Sequence, residues 1–395
     1  MKVGATFWFQ NYEDLMERSY RDDFTGPMPV PDMQIYADEL RLGELVEPLG
    51  FDSLWTIEHH FGPYGMTCNP LLLHSYFAGR TERIDFGSMV LVLPWHDPVR
   101  LAGEIAVVDH LIGDRRLMIG MGRGAAQREF SRFRVDYGDS RGRMEEALEI
   151  IRVGLTQEFF SYDGTHFKVP EGTSVRPRPR TTDLTQDMFL AWSSPETMEW
   201  AAHMGLGQIY ATFADWPSLT TMSAQFNGIR AAHGWEPIPP VTACPVYCAE
   251  TSEKAQAARR YAKEMFRTSV WHYDLLSTAF RSLVKGKEGA ELERAIEDLS
   301  ERSTSAGIFG TPEECLDQIE EISVSSGLAH LICQFRIGSM DPREAERSMR
   351  LFAAEVLPAA KALPAEEPKS TSFAEIQRGR PARAEVNPPP LEVIR

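Results

Sequence analysis

A carboxylate and two imidazoles stand side by side in the segment FDSLWTIEHHF at positions 51–61. Residues 53–57 have the length and the β-branched or aromatic content of a short buried strand, and Glu58, His59 and His60 follow it directly. A strand buried on both faces needs only apolar residues, so these three side chains are better explained by a cleft above the core. An imidazole exchanges a proton near neutral pH, so the segment predicts acid–base chemistry. The competing interpretation is three solvated loop residues.

Two further segments have the composition of an anion site. The run GMGRG at 120–124 leaves backbone N–H groups accessible, and its Arg123 can grip a phosphate with two parallel hydrogen bonds. The third glycine of the dinucleotide fingerprint is missing. Ser193, Ser194 and Thr197 lie at a predicted helix start, where free N–H groups and the helix dipole favour anions. A tight turn and an ordinary N-cap are the competing interpretations, but a phosphate held between Arg123 and this helix start would explain both segments.

Composition narrows the class of protein. The chain has 395 residues, of which 43% are hydrophobic and 10% aromatic, which is enough for a large folded core. Its formal net charge of −16 argues against nucleic acid or an anionic membrane as a partner. The five cysteines form no disulfide or zinc pattern, and we expect no metal. The sequence has no segment typical of a membrane span or signal peptide, so a cytoplasmic location is expected.

Strand and helix patterns alternate along the chain. We predict strands at 2–9, 53–57, 84–93, 116–121, 188–192, 207–210, 241–246 and 329–335, and helices at 34–49, 70–78, 98–112, 140–156, 195–204, 217–233, 311–321 and 341–357, with another from Ser252. Eight alternations predict a (β/α)₈ TIM barrel with insertions, and a doubly wound open sheet is the main rival.

Three segments interrupt this alternation. Residues 11–32 are polar and predict a long functional loop, and residues 158–182 predict a proline-rich insertion. Residues 268–305 are charged and only partly helical in pattern, which is typical of a mobile lid. We predict one domain over residues 1–363, followed by a disordered proline-rich tail at 364–395.

Seven short motifs occur in an order that resembles the bacterial luciferase family of flavin-dependent monooxygenases. They are EHHF at 58–61, VLPWHDPVR at 92–100, GRG at 122–124, SRGRMEEAL at 140–148, SSPETMEWAA at 193–202, FGTPEECLD at 309–317 and MRLFAAEVLP at 349–358. The resemblance extends from residue 1 to about residue 363 and implies a TIM barrel that binds FMN.

The resemblance assigns roles to individual residues. It implies that His59 is the catalytic imidazole, that His60 follows it in the pocket, and that Glu129 stands where the family has a pocket aspartate. It implies that Arg123 and Arg141 contact the FMN phosphate, together with Ser194 and Thr197.

Four positions depart from the luciferase pattern. Met89 and Val90 replace two alanines at the flavin edge, Gly122 replaces a reactive cysteine, and Ser193 replaces a glutamate. Because these positions surround the flavin ring and the substrate, the departures argue against light emission and long-chain aldehydes more than against flavin binding.

The function implied is that of a two-component monooxygenase. Reduced FMN, supplied by a separate flavin reductase, would activate O2 through a flavin hydroperoxide and oxygenate a small apolar or carbonyl-containing organic substrate. His59 would assist by exchanging a proton, and a homodimer is the expected assembly.

Three alternatives stay open. A deazaflavin-dependent dehydrogenase would keep the barrel and transfer hydride without O2. A metal-dependent hydrolase would use Glu58, His59, His60 and either Asp109 or His110, although adjacent histidines on an extended segment point to opposite sides. A noncatalytic partner subunit would need neither the EHHF motif nor the phosphate residues.

Overall fold

The computed structural model describes residues 1–192, 194–211, 216–275 and 281–364, and eight of its strands close into a parallel barrel. The strands are β1 (Lys2–Phe7), β2 (Ser53–Thr56), β3 (Asp85–Ser88), β4 (Leu91–Val92), β5 (Leu117–Gly122), β6 (Phe160–Asp163), β7 (Lys168–Thr173), β8 (Met188–Ala191), β9 (Gly207–Ala211), β10 (Val241–Cys248), β11 (Ile308–Gly310) and β12 (His330–Gln334). The barrel order is β1, β2, β3, β5, β8, β9, β10 and β12, and β12 pairs with β1 to close the ring.

Helices surround the barrel. They are α1 (Tyr12–Asp14), α2 (Asp32–Glu44), α3 (Pro70–Ala78), α4 (Pro98–Ile112), α5 (Gln127–Phe133), α6 (Ser140–Thr156), α7 (Pro195–His203), α8 (Trp216–Ala232), α9 (Ser252–His272), α10 (Arg281–Val284), α11 (Gly289–Thr304), α12 (Pro312–Ser326), α13 (Pro342–Glu355) and α14 (Leu357–Ala362). The main core lies between these helices and the strands, where residues such as Leu101, Ile105 and Phe352 are fully buried. No helix in the described part of the chain is both long and apolar enough to cross a membrane.

Side chains fill the barrel interior. Trp55 of β2 is fully buried there, and a Cβ at position 87 of the neighbouring strand would lie only 2.4 Å from its ring, so Gly87 makes room for the indole. The indole N–H donates to Ser53 Oγ at 2.8 Å, and this hydroxyl contacts His330 Nε2 at 2.8 Å. A packed interior of this kind closes the middle of the barrel, so a ligand site has to lie at its mouth.

The predicted TIM barrel is confirmed, and local capping signals explain why several helices start where they do. The Asn69 side chain accepts from the N–H of Leu71 before α3, and the Asp97 side chain accepts from the N–H of Arg100 before α4. Thr311 and Glu314 form a capping box at the start of α12. Proline follows each cap directly, at the position where no N–H is needed.

Four local predictions were wrong. The predicted strand 84–93 is two strands separated by Met89 and Val90, which are joined by a cis peptide bond. The predicted loop 11–32 contains helical turns at 12–14 and 15–19, capped by the Asn11 side chain. The predicted proline-rich insertion 158–182, in which no strand was predicted, contains the antiparallel hairpin of β6 and β7.

The fourth error concerns residues 268–305, which are mostly helical. α11 packs along α9, and Lys263 of α9 forms ion pairs with Glu297 at 2.7 Å and with Glu301. The charged residues that suggested an irregular lid therefore lie on helix surfaces. Residues 276–280 of this segment and residues 365–395 of the predicted tail lie outside the described residues.

Candidate functional site

A buried histidine–carboxylate pair lies beyond the carboxyl end of β2. His59 Nδ1 is 3.2 Å from Glu129 Oε1, and the backbone N–H of His60 donates to the same oxygen at 2.6 Å. Burial works against the charged form of Glu129, but the attraction and hydrogen bond of His59, together with the nearby imidazole of His272, outweigh it and hold the pKa of this carboxyl well below its usual range. Since an ionised carboxylate only accepts, Nδ1 of His59 must carry the proton.

The end of α9 completes this cluster. The Tyr273 hydroxyl lies 2.9 Å from Nε2 of His59, and Nε2 of His272 lies 3.5 Å from Oε2 of Glu129. The Tyr64 ring stacks on the imidazole of His272, with ring centroids 4.0 Å apart. Burial lowers the pKa of His272 to about 4, so this imidazole is neutral at neutral pH. We name His59, Glu129, His272, Tyr64 and Tyr273 the His59 cluster.

Three members of the His59 cluster could also ligate a metal ion. The ligand atoms of His59, Glu129 and His272 all lie within 4.8 Å of one another, and all three residues are buried. Two imidazoles and a carboxylate suit zinc or iron. However, hydrogen bonds account for the contacts of His59 Nδ1 and Nε2 and of the Glu129 carboxylate without an ion.

A second histidine–carboxylate cluster lies next to the first. Glu58 is buried, and its carboxylate contacts Nε2 of His60 at 2.9 Å and Nε2 of His96 at 2.9 Å. It also accepts the backbone N–H of Val92 at 2.8 Å, which ties β4 to the segment after β2. Burial opposes ionisation of Glu58, but the hydrogen bonds from both histidines lower its pKa. His59 and His60 therefore point to different carboxylates.

The predicted phosphate residues lie around the start of α7. Arg141 Nη2 lies 3.5 Å from Ser194 Oγ, and this oxygen lies 3.1 Å from Thr197 Oγ1. Arg123 Nη2 donates to the hydroxyl of Tyr137 at 3.2 Å. The pKa of Glu196 is lowered by hydrogen bonds from its own backbone and from Ser194. The positive charges of Arg141 and Arg123 lower it further.

This cradle fits a phosphate group. The guanidinium groups of Arg141 and Arg123 both interact electrostatically with Glu196 in the first turn of α7. The first N–H groups and the dipole of this nine-residue helix also favour an anion. Each guanidinium has more donors than its present partners use. Ser193 lies outside the described residues, so its predicted contribution stays a prediction.

Met89 and Val90 lie against the glycine run of β5. A Cβ at position 122 would come within 2.7 Å of Val90 Cγ2, and a Cβ at position 120 would lie 1.9 Å from the carbonyl oxygen of Ser88. Gly120 and Gly122 are therefore required, because the end of β3 and the segment between β3 and β4 approach them too closely for a side chain. Gly122 and Val90 are matched in size, which accounts physically for two departures from the luciferase pattern.

An open cleft of about 510 Å³ borders His59. One side is formed by residues that precede or begin α2, including Asp14 and Asp32, and the other by residues 59–68, including Phe61 and Cys68. His60 also lines it, although its ring is held by Glu58. This volume is in the range of small-molecule sites.

Some of the predicted site residues lie together in the structure. They are His59 and Glu129, which are in contact, and Arg141, Ser194 and Thr197, which lie together. His272, Tyr273 and the His96 partner of Glu58 were not predicted. The available signal was the run WHYD at 271–274, which places polar and aromatic residues at the end of an amphipathic helix.

Comparison with known proteins places the chain in a family. Residues 16–330 match the model of the luciferase-like monooxygenases. The alkanal monooxygenase alpha chain of Photorhabdus luminescens is 27% identical over 335 residues, which cover 81% of this chain and 90% of that protein.

Solved structures share the fold of this chain. The monooxygenase RslO1 of Streptomyces bottropensis superposes with a TM-score of 0.71 at 25% identity, covering 91% of this chain and 99% of that one. The oxygenating constituent of the 3,6-diketocamphane monooxygenase of Pseudomonas putida, solved with FMN, gives a TM-score of 0.68 at 17% identity, covering 93% and 99%. The chain belongs to the luciferase-like monooxygenase family.

Proposed function

We propose that this protein is a two-component monooxygenase that binds reduced FMN and uses O2 to oxygenate a small apolar or carbonyl-containing organic substrate. The observation that carries the proposal is the buried His59–Glu129 pair beside an open cleft, in a chain of the luciferase-like monooxygenase family. Reduced FMN, when bound, supplies the electrons that activate O2. A separate flavin reductase would supply the reduced cofactor.

The proposed cofactor contacts follow from the cradle at α7. Arg123 and Arg141 would hold the FMN phosphate with charge-assisted hydrogen bonds, and Ser194 and Thr197 would add hydroxyl donors. Met89, Val90 and Gly122 would contact the flavin ring, because Met89 and Val90 are half-buried and Val90 lies directly against Gly122. The FMN complex of the diketocamphane monooxygenase supports the choice of cofactor.

His59 would move the proton. Its Nδ1–H is held by the carboxylate of Glu129, so proton exchange takes place at Nε2. An imidazole in this arrangement accepts a proton from the substrate or returns one to it near neutral pH. Tyr64 and Tyr273 surround the imidazole with aromatic rings, which would exclude water from the reacting atoms. His60 would line the substrate side of the cleft.

The proposed assembly is a cytoplasmic homodimer. Leu72 of α3 and Val107 and Leu111 of α4 are exposed apolar residues on neighbouring helices, and a second copy would cover them. Sedimentation of the purified chain at several concentrations tests this part independently of catalysis.

Cofactor choice is tested by equilibrium binding of reduced FMN and of a reduced deazaflavin under anaerobic conditions. The proposal predicts one reduced FMN per chain and much weaker binding of the deazaflavin. Tight deazaflavin binding without FMN binding would favour the dehydrogenase alternative. Incorporation of ¹⁸O from labelled O2 into a product found by substrate screening then tests the reaction itself.

A further inference from the structure

Three consecutive residues at the end of α9 each contact the catalytic segment. The Trp271 ring lies under the Arg128 guanidinium at 3.8 Å, and its carbonyl accepts from Arg128 Nη2 at 3.0 Å. His272 lies beside Glu129, and Tyr273, the C-cap residue of α9, contacts His59. The end of α9 is therefore joined to α5 and to the segment after β2 at the same place.

Counting donors and acceptors fixes the direction of the hydrogen bonds. The Ser269 hydroxyl donates to the carbonyl oxygen of Met265 at 3.0 Å, and a carbonyl oxygen can only accept. Ser269 Oγ must then accept from the Tyr64 hydroxyl, which is 2.8 Å away. This uses the single proton of Tyr64.

The proton of Tyr273 has a different destination. When the imidazole of His59 is uncharged and Nδ1 donates to Glu129, Nε2 carries a lone pair and accepts a hydrogen bond. The Tyr273 hydroxyl lies 2.9 Å from it, and burial raises the pKa of Tyr273 well above its ordinary value. Tyr273 therefore stays protonated and donates, and it does not act as a base.

We propose that Tyr273 is a positioning residue for His59. Its hydroxyl donates to Nε2 and keeps the imidazole in the Nδ1–H tautomer. The catalytic tautomer of His59 therefore depends on the packing of the C-terminal end of α9 against the segment after β2. Only the effect of this hydrogen bond on catalysis rests on the proposed function. The hydrogen bond itself exists in the protein without cofactor and can be measured there.

The alternative use of the same atoms is a metal site formed by His59, Glu129 and His272. In that case the ion would bind Nδ1 of His59 in place of the proton, and Nε2–H would donate to Tyr273. The two arrangements place the proton on opposite nitrogens of the ring, so one spectrum distinguishes them.

The test uses ¹⁵N NMR of histidine-labelled protein at pH 7.5 without flavin, with His59 assigned from the signal lost in His59→Gln. The proposal predicts a protonated Nδ1 and a hydrogen-bonded Nε2 lone pair in the wild type. In Tyr273→Phe, Nε2 should shift to the position of a lone pair without a donor while Nδ1 stays protonated. Tyr247→Phe is the matched control, because its hydroxyl donates to Glu344 at 2.8 Å, away from the His59 cluster, and the His59 signals should stay in place.

An unchanged Nε2 signal in Tyr273→Phe would overturn the proposal, as would a wild type protonated at Nε2 with Nδ1 bound to added Zn²⁺. A second readout uses protein loaded with reduced FMN and mixed with O2. Tyr273→Phe should slow the pH-dependent step about five- to tenfold without changing the affinity for reduced FMN, since one positioning hydrogen bond is lost. Failure of the wild type to bind FMN would refute the proposed function and leave the NMR result standing.

Discussion

His59 and His60 are adjacent in the chain, yet each ring contacts its own buried glutamate, Glu129 for His59 and Glu58 for His60. The extended backbone sends the two side chains to opposite sides, where Glu129 of α5 and Glu58 of the same segment each supply a carboxylate. The two clusters can therefore be perturbed one at a time.

Glu129→Gln should separate proton transfer from cofactor binding. The amide is nearly isosteric but uncharged, so it no longer stabilises the positive charge that the His59 imidazole gains when it takes up a proton, and substrate turnover should fall about 100-fold. The affinity for reduced FMN should change little, because Glu129 is not part of the α7 cradle. Glu58→Gln is the comparison variant: it removes a charge that holds Val92, His60 and His96, and should lower the melting temperature more than it lowers turnover per bound flavin. Equal effects of the two substitutions on turnover would contradict the assignment.

Arg141→Ala tests the phosphate site. Loss of a charge-assisted hydrogen bond should weaken FMN binding about 10- to 100-fold. Riboflavin lacks the phosphate, so its affinity should be the same in wild type and variant. Arg100→Ala, which removes an exposed arginine paired with Glu104, is the matched control and should leave both affinities unchanged. A parallel loss of riboflavin binding would show that Arg141 acts on the fold rather than on the phosphate.

Gly122→Ala should destabilise the protein because the new methyl group meets Val90. The Cβ would lie 2.7 Å from Val90 Cγ2, and overpacking of this kind costs about 1–3 kcal/mol in the free energy of unfolding. Val90→Ala should restore most of that loss in the double variant. Urea unfolding of the four proteins gives the coupling energy. Additive effects of the two substitutions would show that the contact is not the cause.

Acid should destabilise the fold from about pH 6.5 downward, because a buried histidine that is uncharged in the folded chain binds a proton when the chain unfolds. His74 is fully buried, with Nε2 at 3.0 Å from Thr56 Oγ1 and 3.1 Å from the carbonyl oxygen of Gly87, and burial lowers its pKa to about 4. The unfolded chain binds this proton near pH 6.5 and the folded chain does not, so stability falls as the pH drops from about 6.5 toward 4. At pH 5 the loss from His74 alone should be about 2 kcal/mol relative to pH 7.5.

A His74→Gln variant checks this assignment. Its stability at pH 7.5 can differ from the wild type, but the decrease between pH 7.5 and pH 5 should be smaller by about 2 kcal/mol. His330, whose pKa burial lowers to about 3, contributes in the same direction and stays in both proteins. An identical decrease in wild type and variant would exclude His74 as a source.

Much of the barrel could be predicted because its signals are local. Apolar runs of strand length and the capped, proline-opened starts of α3, α4 and α12 locate eight strand–helix units without knowledge of tertiary contacts. The break at Met89 and Val90 could not be predicted, because it depends on the close approach of that segment to Gly120 and Gly122 on another strand.

The candidate site was predicted where the chemistry is contiguous in sequence. EHHF shows three ionisable residues at a strand end, and the start of α7 shows a helix N-terminus. Tyr273 is 214 residues from His59, and although the run WHYD marks polar residues at a helix end, it does not indicate which part of the chain they contact. His96 was missed for a similar reason, since its pairing with Glu58 requires the segment after β4 to lie beside the segment after β2.

The most direct test of the central claim is anaerobic titration of the purified protein with reduced FMN, followed by rapid mixing with oxygenated buffer while the flavin spectrum is recorded. No substrate has to be known. We predict binding of one reduced FMN per chain and reoxidation through a spectrum distinct from both reduced and oxidised FMN, with a lifetime that shortens in His59→Ala. Reduced FMN that binds no better than to a control protein, and reoxidises as it does free in solution, would contradict the account.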